Sequence, residues 1–135
     1  MVNAFGLNHR VAPAASLGAF FDLAASLGVA DVEIRNELPG VAIADGTPPE
    51  AVRREAEARD LRILSINALY PFNRWSDERA EQARALADYA AACGAEGVVL
   101  CPLNDAAHRV GDAERLEELR DALAALAPLI RIVAS

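Results

Sequence analysis

Polar residues stand at or just after the ends of several apolar runs in this sequence. They are His9 after the first run, Glu33 and Arg35 in the second, Asn67 at the end of the third and Asn104 after the fourth. A neutral imidazole can bind a hydroxyl, accept a proton or ligate a metal. A carboxylate in an apolar strand is costly unless it is paired or faces a polar cavity. These side chains are therefore candidates for lining the mouth of one binding site.

Each of these candidates also has a structural interpretation. A single histidine in a loop commonly serves only as a hydrogen-bonding residue. Glu33 and Arg35 are two residues apart, so they face the same side of a strand and can form an ion pair. The pair can lie in the barrel interior and orient a substrate or support other ligands, or it can be purely structural. Asn67, which Ser65 precedes on the same strand, can bind a sugar hydroxyl or hold a loop in place. The residues alone leave these alternatives open.

Three further candidates are aromatic and lie in one segment, Leu69–Trp75. Tyr70, Phe72 and Trp75 can stack on the face of a sugar, or they can pack the segment onto the fold, which is the commoner role of such rings. We count all three as substrate-binding candidates. The second histidine, His108, lies in a polar segment, and we expect it to be solvated.

The elements that must position these residues alternate regularly along the chain. Five apolar runs, spaced about thirty residues apart, predict strands. They are Val2–Leu7, Asp31–Arg35, Leu61–Asn67, Gly97–Cys101 and Leu129–Val133. The fourth run is apolar almost throughout, which predicts burial on both faces in a parallel sheet covered by helices. Because ligands bind beyond the carboxyl ends of parallel strands, the long polar segments after the strands should form the functional face.

Four helical patterns lie between the runs and complete an α/β protein. Their expected bounds are Ser16–Gly28, Thr47–Arg59, Ser76–Gly94 and Asp112–Pro128. Ser16 can cap the first helix. Thr47 can cap the second, with Pro48 at its first position and Glu50 completing a capping box.

Composition limits the classes of function. The 135 residues fit one domain, residues 1–135, and 53% of them are apolar, enough for a core. The net charge of −7 argues against nucleic acid as a partner, and no apolar run is long enough to span a membrane. We expect a cytoplasmic protein. All thirteen basic residues are arginine, which excludes lysine-dependent chemistry such as Schiff-base formation.

Two segments resemble the xylose-isomerase-like TIM-barrel superfamily. They are Val32–Leu38, which reads VEIRNEL, and Ile63–Asn73, which reads ILSINALYPFN. The superfamily includes sugar phosphate isomerases and epimerases, hydroxypyruvate isomerases, and inosose isomerases and dehydratases. The resemblance covers essentially the whole chain but only half of such a barrel. It implies four βα units and the start of a fifth strand, the N-terminal half of a (β/α)8 barrel.

Members of this superfamily hold a divalent metal with carboxylates and a histidine from strands five to eight, and the carboxylates move a proton through an enediolate. The fifth run here ends without a carboxylate. The resemblance therefore implies a divalent metal in the full-length family, but no metal ligand and no catalytic residue in this chain. It carries over a substrate-side lining by His9, Glu33 and Asn67. The expected ligand is a small sugar or a polyol-derived compound.

The leading hypothesis is the N-terminal half of a metal-dependent sugar or inosose isomerase or epimerase. Such a half should be inactive alone, and a second half-barrel or a second copy of the chain should complete it. The alternative is a small α/β binding or interaction module with a flavodoxin-like open sheet. A third interpretation is a catalytically inactive half that binds an intact homologue. Strand order distinguishes a half-barrel from a flavodoxin-like sheet.

Overall fold

The computed structural model describes residues 4–41, 43, 46–107 and 109–129, along which four strands alternate with four helices. The strands are β1 (Gly6–Asn8), β2 (Asp31–Arg35), β3 (Arg62–Leu69) and β4 (Gly97–Leu100). The helices are α1 (Leu17–Ser26), α2 (Pro49–Glu57), α3 (Asp77–Cys93) and α4 (Asp112–Leu126). A short 3-10 turn, His9–Val11, follows β1. The predicted α/β class is confirmed. In this described part, no helix is long and apolar enough to cross a membrane.

The strands form one sheet in the order β1-β2-β3-β4. β1 pairs with β2 in parallel, and β2 pairs with β3 in parallel. A sequential order is that of a (β/α)8 barrel, whereas a doubly wound sheet reverses its direction near the first strand. The described residues therefore have the architecture of the N-terminal half of a TIM barrel, and the flavodoxin-like arrangement is excluded.

The chain divides into two compact units. The first contains Met1–Ala68 and Tyr89–Val99, and the second contains Leu69–Asp88 and Leu100–Ser135. The first unit includes β1, β2, α1 and α2, with most of β3 and β4. The second includes the segment after β3, most of α3 and the whole of α4.

Helix α1 supplies much of the core of the first unit. Ser16 caps it as predicted, because the Ser16 hydroxyl accepts a hydrogen bond from the backbone nitrogen of Ala19 at 3.2 Å. Phe20 and Phe21 are completely buried, and the helix packs against α2 and β2. Gly28 follows with a φ of +70°, a conformation that glycine adopts without a steric penalty.

Burial alternates along β2, because successive side chains of a strand point to opposite faces. Val32 and Ile34 are completely buried, on the side that α1 covers. The intervening residues are half exposed. On β3 the buried residues are Ile63, Ile66 and Leu69, and the residues between them are half exposed. We call the half-exposed side of the sheet the inner face. It presents Glu33, Arg35, Ser65 and Asn67.

The start of the second helix differs from the prediction. Helix α2 begins at Pro49, Pro48 is its N-cap, and no side chain caps it. Pro48 displaces Thr47 by one residue from the capping position, so the Thr47 hydroxyl does not cap the helix and the predicted capping box with Glu50 is wrong. The carbonyl oxygen of Thr47 instead accepts a hydrogen bond from the hydroxyl of Tyr89 at 2.8 Å.

The first and last strands of the sheet agree only in part with the predictions from the sequence. β4 is half exposed at every position, so the prediction of burial on both of its faces is wrong. β4 stands last in the sheet order and has a paired neighbour on one side only among the described strands. The first strand begins at Gly6, and residues 2 and 3 of its predicted run lie outside the described residues. The same holds for residues 130–133 of the fifth run.

The second unit has a small apolar core of its own. Its buried residues are Leu69, Phe72, Ala83, Leu86, Ala122 and Leu126. Helix α3 begins after Ser76 as predicted, with the Ser76 hydroxyl accepting from the backbone nitrogen of Arg79 at 3.0 Å. Two leucines of α4, Leu116 and Leu123, are 60% and 47% exposed.

Candidate functional site: a carboxylate held by neutral donors on the inner face

The register of β2 and β3 places a serine beside Glu33. Val32 pairs with Ile63, but the next pair is Glu33 with Ser65, so that Leu64 is skipped. Such an irregularity shifts the side chains of one strand relative to its partner. Without it, the apolar Leu64 would stand beside the carboxylate. The shift therefore brings polar residues of two strands together on the inner face.

Three neutral donors hold the Glu33 carboxylate. Ser65 Oγ donates to Oε2 at 2.6 Å, and Asn67 Nδ2 donates to Oε1 at 3.3 Å. Asn8 Nδ2, at the end of β1, also donates to Oε1. These bonds offset the cost of a partly buried carboxylate without an ion pair. We refer to Asn8, Glu33, Ser65 and Asn67 as the Glu33 cluster.

Arg35 does not pair with Glu33, so the predicted ion pair is wrong. Arg35 Nε donates instead to Glu37 Oε1 at 2.7 Å. The same carboxylate oxygen lies 3.4 Å from Arg10 Nη1. The neutral donors already occupy Glu33, while Glu37 follows the strand end and is free to meet the arginine. The two carboxylates of this region therefore have different partners, neutral donors for Glu33 and arginines for Glu37.

His9 is completely buried in the 3-10 turn after β1. Its ring stacks on Phe20 with ring centroids 4.5 Å apart, and Nε2 donates to the carbonyl oxygen of Ala15 at 2.9 Å. Nδ1 is buried without a hydrogen-bond partner among the described residues. Burial lowers the pKa of His9 below its ordinary value, although the bond to Ala15 opposes this shift. The ring therefore packs against α1, and its binding role stays a prediction.

Asn36 positions the end of β3, which the sequence reasoning missed. Its Oδ1 accepts from the backbone nitrogen of Ala68 at 2.7 Å, and its Nδ2 donates to the carbonyl oxygen of Ala68 at 3.2 Å. The backbone nitrogen of Asn36 also donates to the carbonyl oxygen of Asn67 at 3.1 Å. Asn36 thus extends the pairing of β2 with β3 by one residue and fixes the backbone that carries Asn67. An asparagine directly after a strand was the available signal.

The remaining candidates belong to the second unit. Tyr70 is 51% exposed, Phe72 is buried and Trp75 is half buried. Asn104 is exposed. Phe72 thus packs as a core residue, whereas Tyr70 and Asn104 present groups to solvent; the binding roles of all four stay predictions.

Asn73 is a second residue that the sequence reasoning did not single out. It is 6% exposed, its Oδ1 accepts from the backbone nitrogen of Leu103 at 2.6 Å, and its Nδ2 donates to Glu118 Oε2 at 3.2 Å. A buried amide with both ends bonded fixes the segment after β3 to the segment after β4 and to α4.

The described residues do not fit a metal site. Among them, no group of three or more histidine, cysteine, aspartate or glutamate side chains is placed to hold a metal ion. The Glu33 cluster contributes one carboxylate, and its other members are amides and a hydroxyl. A site of this composition suits the hydroxyls of a ligand better than a divalent ion, which takes several oxygen ligands.

Solved structures resemble the chain over nearly its whole length. A xylose isomerase domain containing protein from Salmonella typhimurium LT2 is 33% identical with a TM-score of 0.77, and the match covers 96% of this chain and 48% of that one. This chain is a half-barrel of the xylose-isomerase-like superfamily. The half-barrel spans about half the length of the structures that it matches. No protein-family model matches it, and neither does any curated protein.

Two less similar structures share the fold of the half-barrel. A protein from Sinorhizobium meliloti 1021 is 17% identical with a TM-score of 0.69, over 97% of this chain and 48% of its own. A xylose isomerase domain protein from Alicyclobacillus acidocaldarius is 22% identical with a TM-score of 0.61, over 93% of this chain and 47% of its own.

The fold determines where the inner face of the half-barrel lies relative to the barrel interior. In a TIM barrel the helices lie outside, the inner face of the sheet fills the interior, and ligands bind at the carboxyl ends of the strands. Asn8 is the last residue of β1, and Asn67 lies near the end of β3. The Glu33 cluster therefore lies on the interior side of the half-barrel, close to the carboxyl ends of its strands.

Proposed function

We propose that this half-barrel supplies substrate-binding side chains of a sugar or inosose isomerase or epimerase, and that it needs a second half-barrel for activity. The observation that carries the proposal is the Glu33 cluster, a carboxylate held by neutral donors on the inner face near the carboxyl ends of the strands. The superfamily and the description of the Salmonella protein as a xylose isomerase domain support a sugar as the ligand.

The Glu33 carboxylate keeps capacity for a ligand. The two oxygens of a carboxylate accept about four hydrogen bonds in all. Described residues supply two donors to Oε1 and one, from Ser65, to Oε2. Counting only donors from the described residues, Oε2 has room for one more, such as a hydroxyl. Because Asn8, Ser65 and Asn67 already hold the carboxylate by hydrogen bonds, binding a hydroxyl requires little rearrangement of the site.

The reaction proposed for the complete barrel is proton transfer next to a carbonyl. A base removes the proton from the carbon beside the carbonyl, giving an enediolate, and the proton returns to the neighbouring carbon or to the other face of the same carbon. In this scheme Glu33 binds a hydroxyl of the substrate equally in the ground state and in the transition state. The base itself belongs to the second half-barrel.

The test joins this chain to the part of the Salmonella protein that it does not match, giving one continuous fused barrel. The fused barrel, the Salmonella protein and the 135-residue chain alone are incubated in D₂O with added Mg²⁺ or Mn²⁺ and a panel of ketoses and inososes. Proton NMR follows the exchange of hydrogen for deuterium beside the carbonyl. We expect the fused barrel and the Salmonella protein to exchange, and the chain alone to show no exchange above the buffer rate.

Folding of the fused barrel is checked first by circular dichroism and by a cooperative thermal transition. A folded fused barrel that leaves every compound unexchanged, while the Salmonella protein exchanges at least one, would contradict the proposal. Exchange by the chain alone would contradict the requirement for a second half-barrel.

A further inference from the structure

The segment after β3 is bonded to the segment after β4 on both sides of Tyr70. The carbonyl oxygen of Leu69 accepts a hydrogen bond from the backbone nitrogen of Cys101 at 3.0 Å, and the backbone nitrogen of Phe72 donates to the carbonyl oxygen of Cys101 at 3.1 Å. Phe72 is buried, whereas Tyr70 is 51% exposed. Tyr70 therefore presents its side chain to solvent from a backbone that is held before and after it.

The side chain of Asn73 continues this pairing where the backbone does not. Asn73 Oδ1 accepts from the backbone nitrogen of Leu103 at 2.6 Å, two residues beyond Cys101. Asn73 is only 6% exposed, so losing this bond would leave a buried polar group without its partner, which is costly. Asn73 thus gives the segment that carries Tyr70 a third hydrogen bond to the segment after β4.

Glu118 of α4 determines which end of the Asn73 amide faces Leu103. An amide has one donating and one accepting end, whereas an ionised carboxylate only accepts. Glu118 Oε2 accepts from Asn73 Nδ2 at 3.2 Å, which turns Asn73 Oδ1 toward the backbone nitrogen of Leu103. The Glu118 side chain is 19% exposed, and its other oxygen lies 3.4 Å from Arg74 Nη1.

We propose that Asn73, oriented by Glu118, is a positioning residue of the ligand-binding site and that it acts through Tyr70. Tyr70 directly follows the last residue of β3, and a TIM barrel binds its ligands at the carboxyl ends of its strands. A side chain on a fixed backbone loses less conformational freedom when it contacts a ligand. The inference rests on the proposed function for the presence of a ligand site at this end, and it adds two residues that contact protein instead of ligand.

Exchanging the two side-chain types tests the orientation of the amide. Asn73→Asp removes the donor and places a second carboxylate against Glu118, which adds like-charge repulsion. Combining Asn73→Asp with Glu118→Gln restores a donor and an acceptor with their roles reversed, and an oxygen still faces Leu103. The double variant loses the ion pair with Arg74, but a half-exposed pair contributes little. Glu117→Gln, at the exposed position next to Glu118, is the matched control.

The 135-residue chain alone shows whether these variants loosen the segment. Trp75 is the only tryptophan, lies two residues after Asn73 and is half buried. We expect acrylamide quenching of its fluorescence to rise about twofold in Asn73→Asp, and to return to the parent value in the double variant. Glu117→Gln should leave the quenching unchanged. Unchanged quenching in Asn73→Asp would overturn the role of Asn73, and a double variant that quenches like Asn73→Asp would overturn the role of Glu118.

Calorimetric titration of the fused barrel with D-fructose and with myo-inositol tests whether Asn73 acts through Tyr70. We expect Tyr70→Ala and Asn73→Asp each to raise the Kd about tenfold, and the two together to raise it no further than Tyr70→Ala alone. If Asn73 is only structural, Asn73→Asp lowers the thermal transition and leaves the Kd unchanged. If Asn73 acts elsewhere in the site, its effect adds fully to that of Tyr70→Ala. Either result would overturn the inference, and so would the absence of binding of both probes.

The outcomes separate this inference from the proposed function. If the fused barrel binds a probe and shows the expected coupling of Tyr70 with Asn73, but exchanges no compound, the isomerase proposal fails and the inference stands. If the fused barrel exchanges a compound while Tyr70→Ala and Asn73→Asp leave the Kd unchanged, the inference fails and the isomerase proposal stands.

Discussion

Replacing Asn36 by alanine should destabilise the half-barrel by removing two side-chain hydrogen bonds at once. The Asn36 amide bonds the nitrogen of Ala68 at 2.7 Å and its carbonyl oxygen at 3.2 Å, and both contacts are partly buried. A typical protein hydrogen bond contributes about 0.5–1.5 kcal/mol to stability. Two such bonds give an expected loss of about 1–3 kcal/mol in the free energy of unfolding, within the usual range for these mechanisms.

Urea denaturation followed by circular dichroism measures this loss. For a small protein, with a urea dependence of about 2 kcal/mol per M, the midpoint should fall by about 0.5–1.5 M. The same substitution at the exposed Asn104 is the control, and it should change stability by less than about 0.5 kcal/mol. If Asn36→Ala moves the midpoint no further than Asn104→Ala does, the idea that Asn36 holds the end of β3 is refuted.

Three other predictions concern the first unit. Burial lowers the pKa of His9, so as the pH falls the unfolded chain takes up a proton before the folded protein does. The free energy of unfolding should therefore fall as the pH drops below about 6.5, by up to about 1.4 kcal/mol per pH unit. His9→Phe should abolish this part of the pH dependence of stability, and an unchanged pH dependence would contradict the prediction. Ser16→Ala should lower the free energy of unfolding, measured by urea denaturation, by about 1 kcal/mol, and Thr47→Ala by less than about 0.5 kcal/mol, because Ser16 caps its helix and Thr47 does not. Equal losses would contradict this. Burial raises the pKa of Tyr89 to about 12, so an absorbance titration of the folded protein should show a phenol ionising near that pH. The free energy of unfolding should fall as the pH rises above about 10, the pKa of tyrosine in the unfolded chain. Tyr89→Phe should remove this ionisation from the titration.

The sequence was sufficient to predict the elements and their order of alternation. The Ser16 cap, the start of α3 after Ser76 and the alternation of strands with helices depend on local signals, and the structure confirms them. The cap at Thr47 failed because two prolines follow it and the helix begins one residue later than the pattern indicated. A cap depends on a single residue of register, which neighbouring backbone preferences can shift.

The hydrogen-bond partners of Glu33 and Arg35 could not be predicted in the same way. Glu33 was recognised because a carboxylate within an apolar strand needs an explanation, but its partners were not. They come from β1 and β3, and they depend on an irregularity between Val32 and Glu33 that no local pattern announces. Arg35 was assigned to Glu33 from spacing along one strand, whereas Glu37 in the following turn is the actual partner. Contacts between strands follow from register, which is a property of the folded sheet.

The burial of His9 shows the same limit. Its place at the end of a strand made it a candidate for the mouth, yet the chain enters a 3-10 turn at that residue and the ring stacks on Phe20. The stack joins residues on two consecutive elements, and the apolar face of α1 was visible in the sequence. What the sequence did not indicate was the direction in which the turn carries the imidazole.

Steady-state kinetics of Glu33→Gln in the fused barrel test the central claim most directly. If the Glu33 cluster binds a substrate hydroxyl alike in the ground state and the transition state, KM should rise about five- to tenfold while kcat stays within about twofold. The thermal transition of the variant should match that of the parent. An unchanged KM together with a lower thermal transition would contradict the account, because the Glu33 cluster would then stabilise the sheet without contacting the substrate.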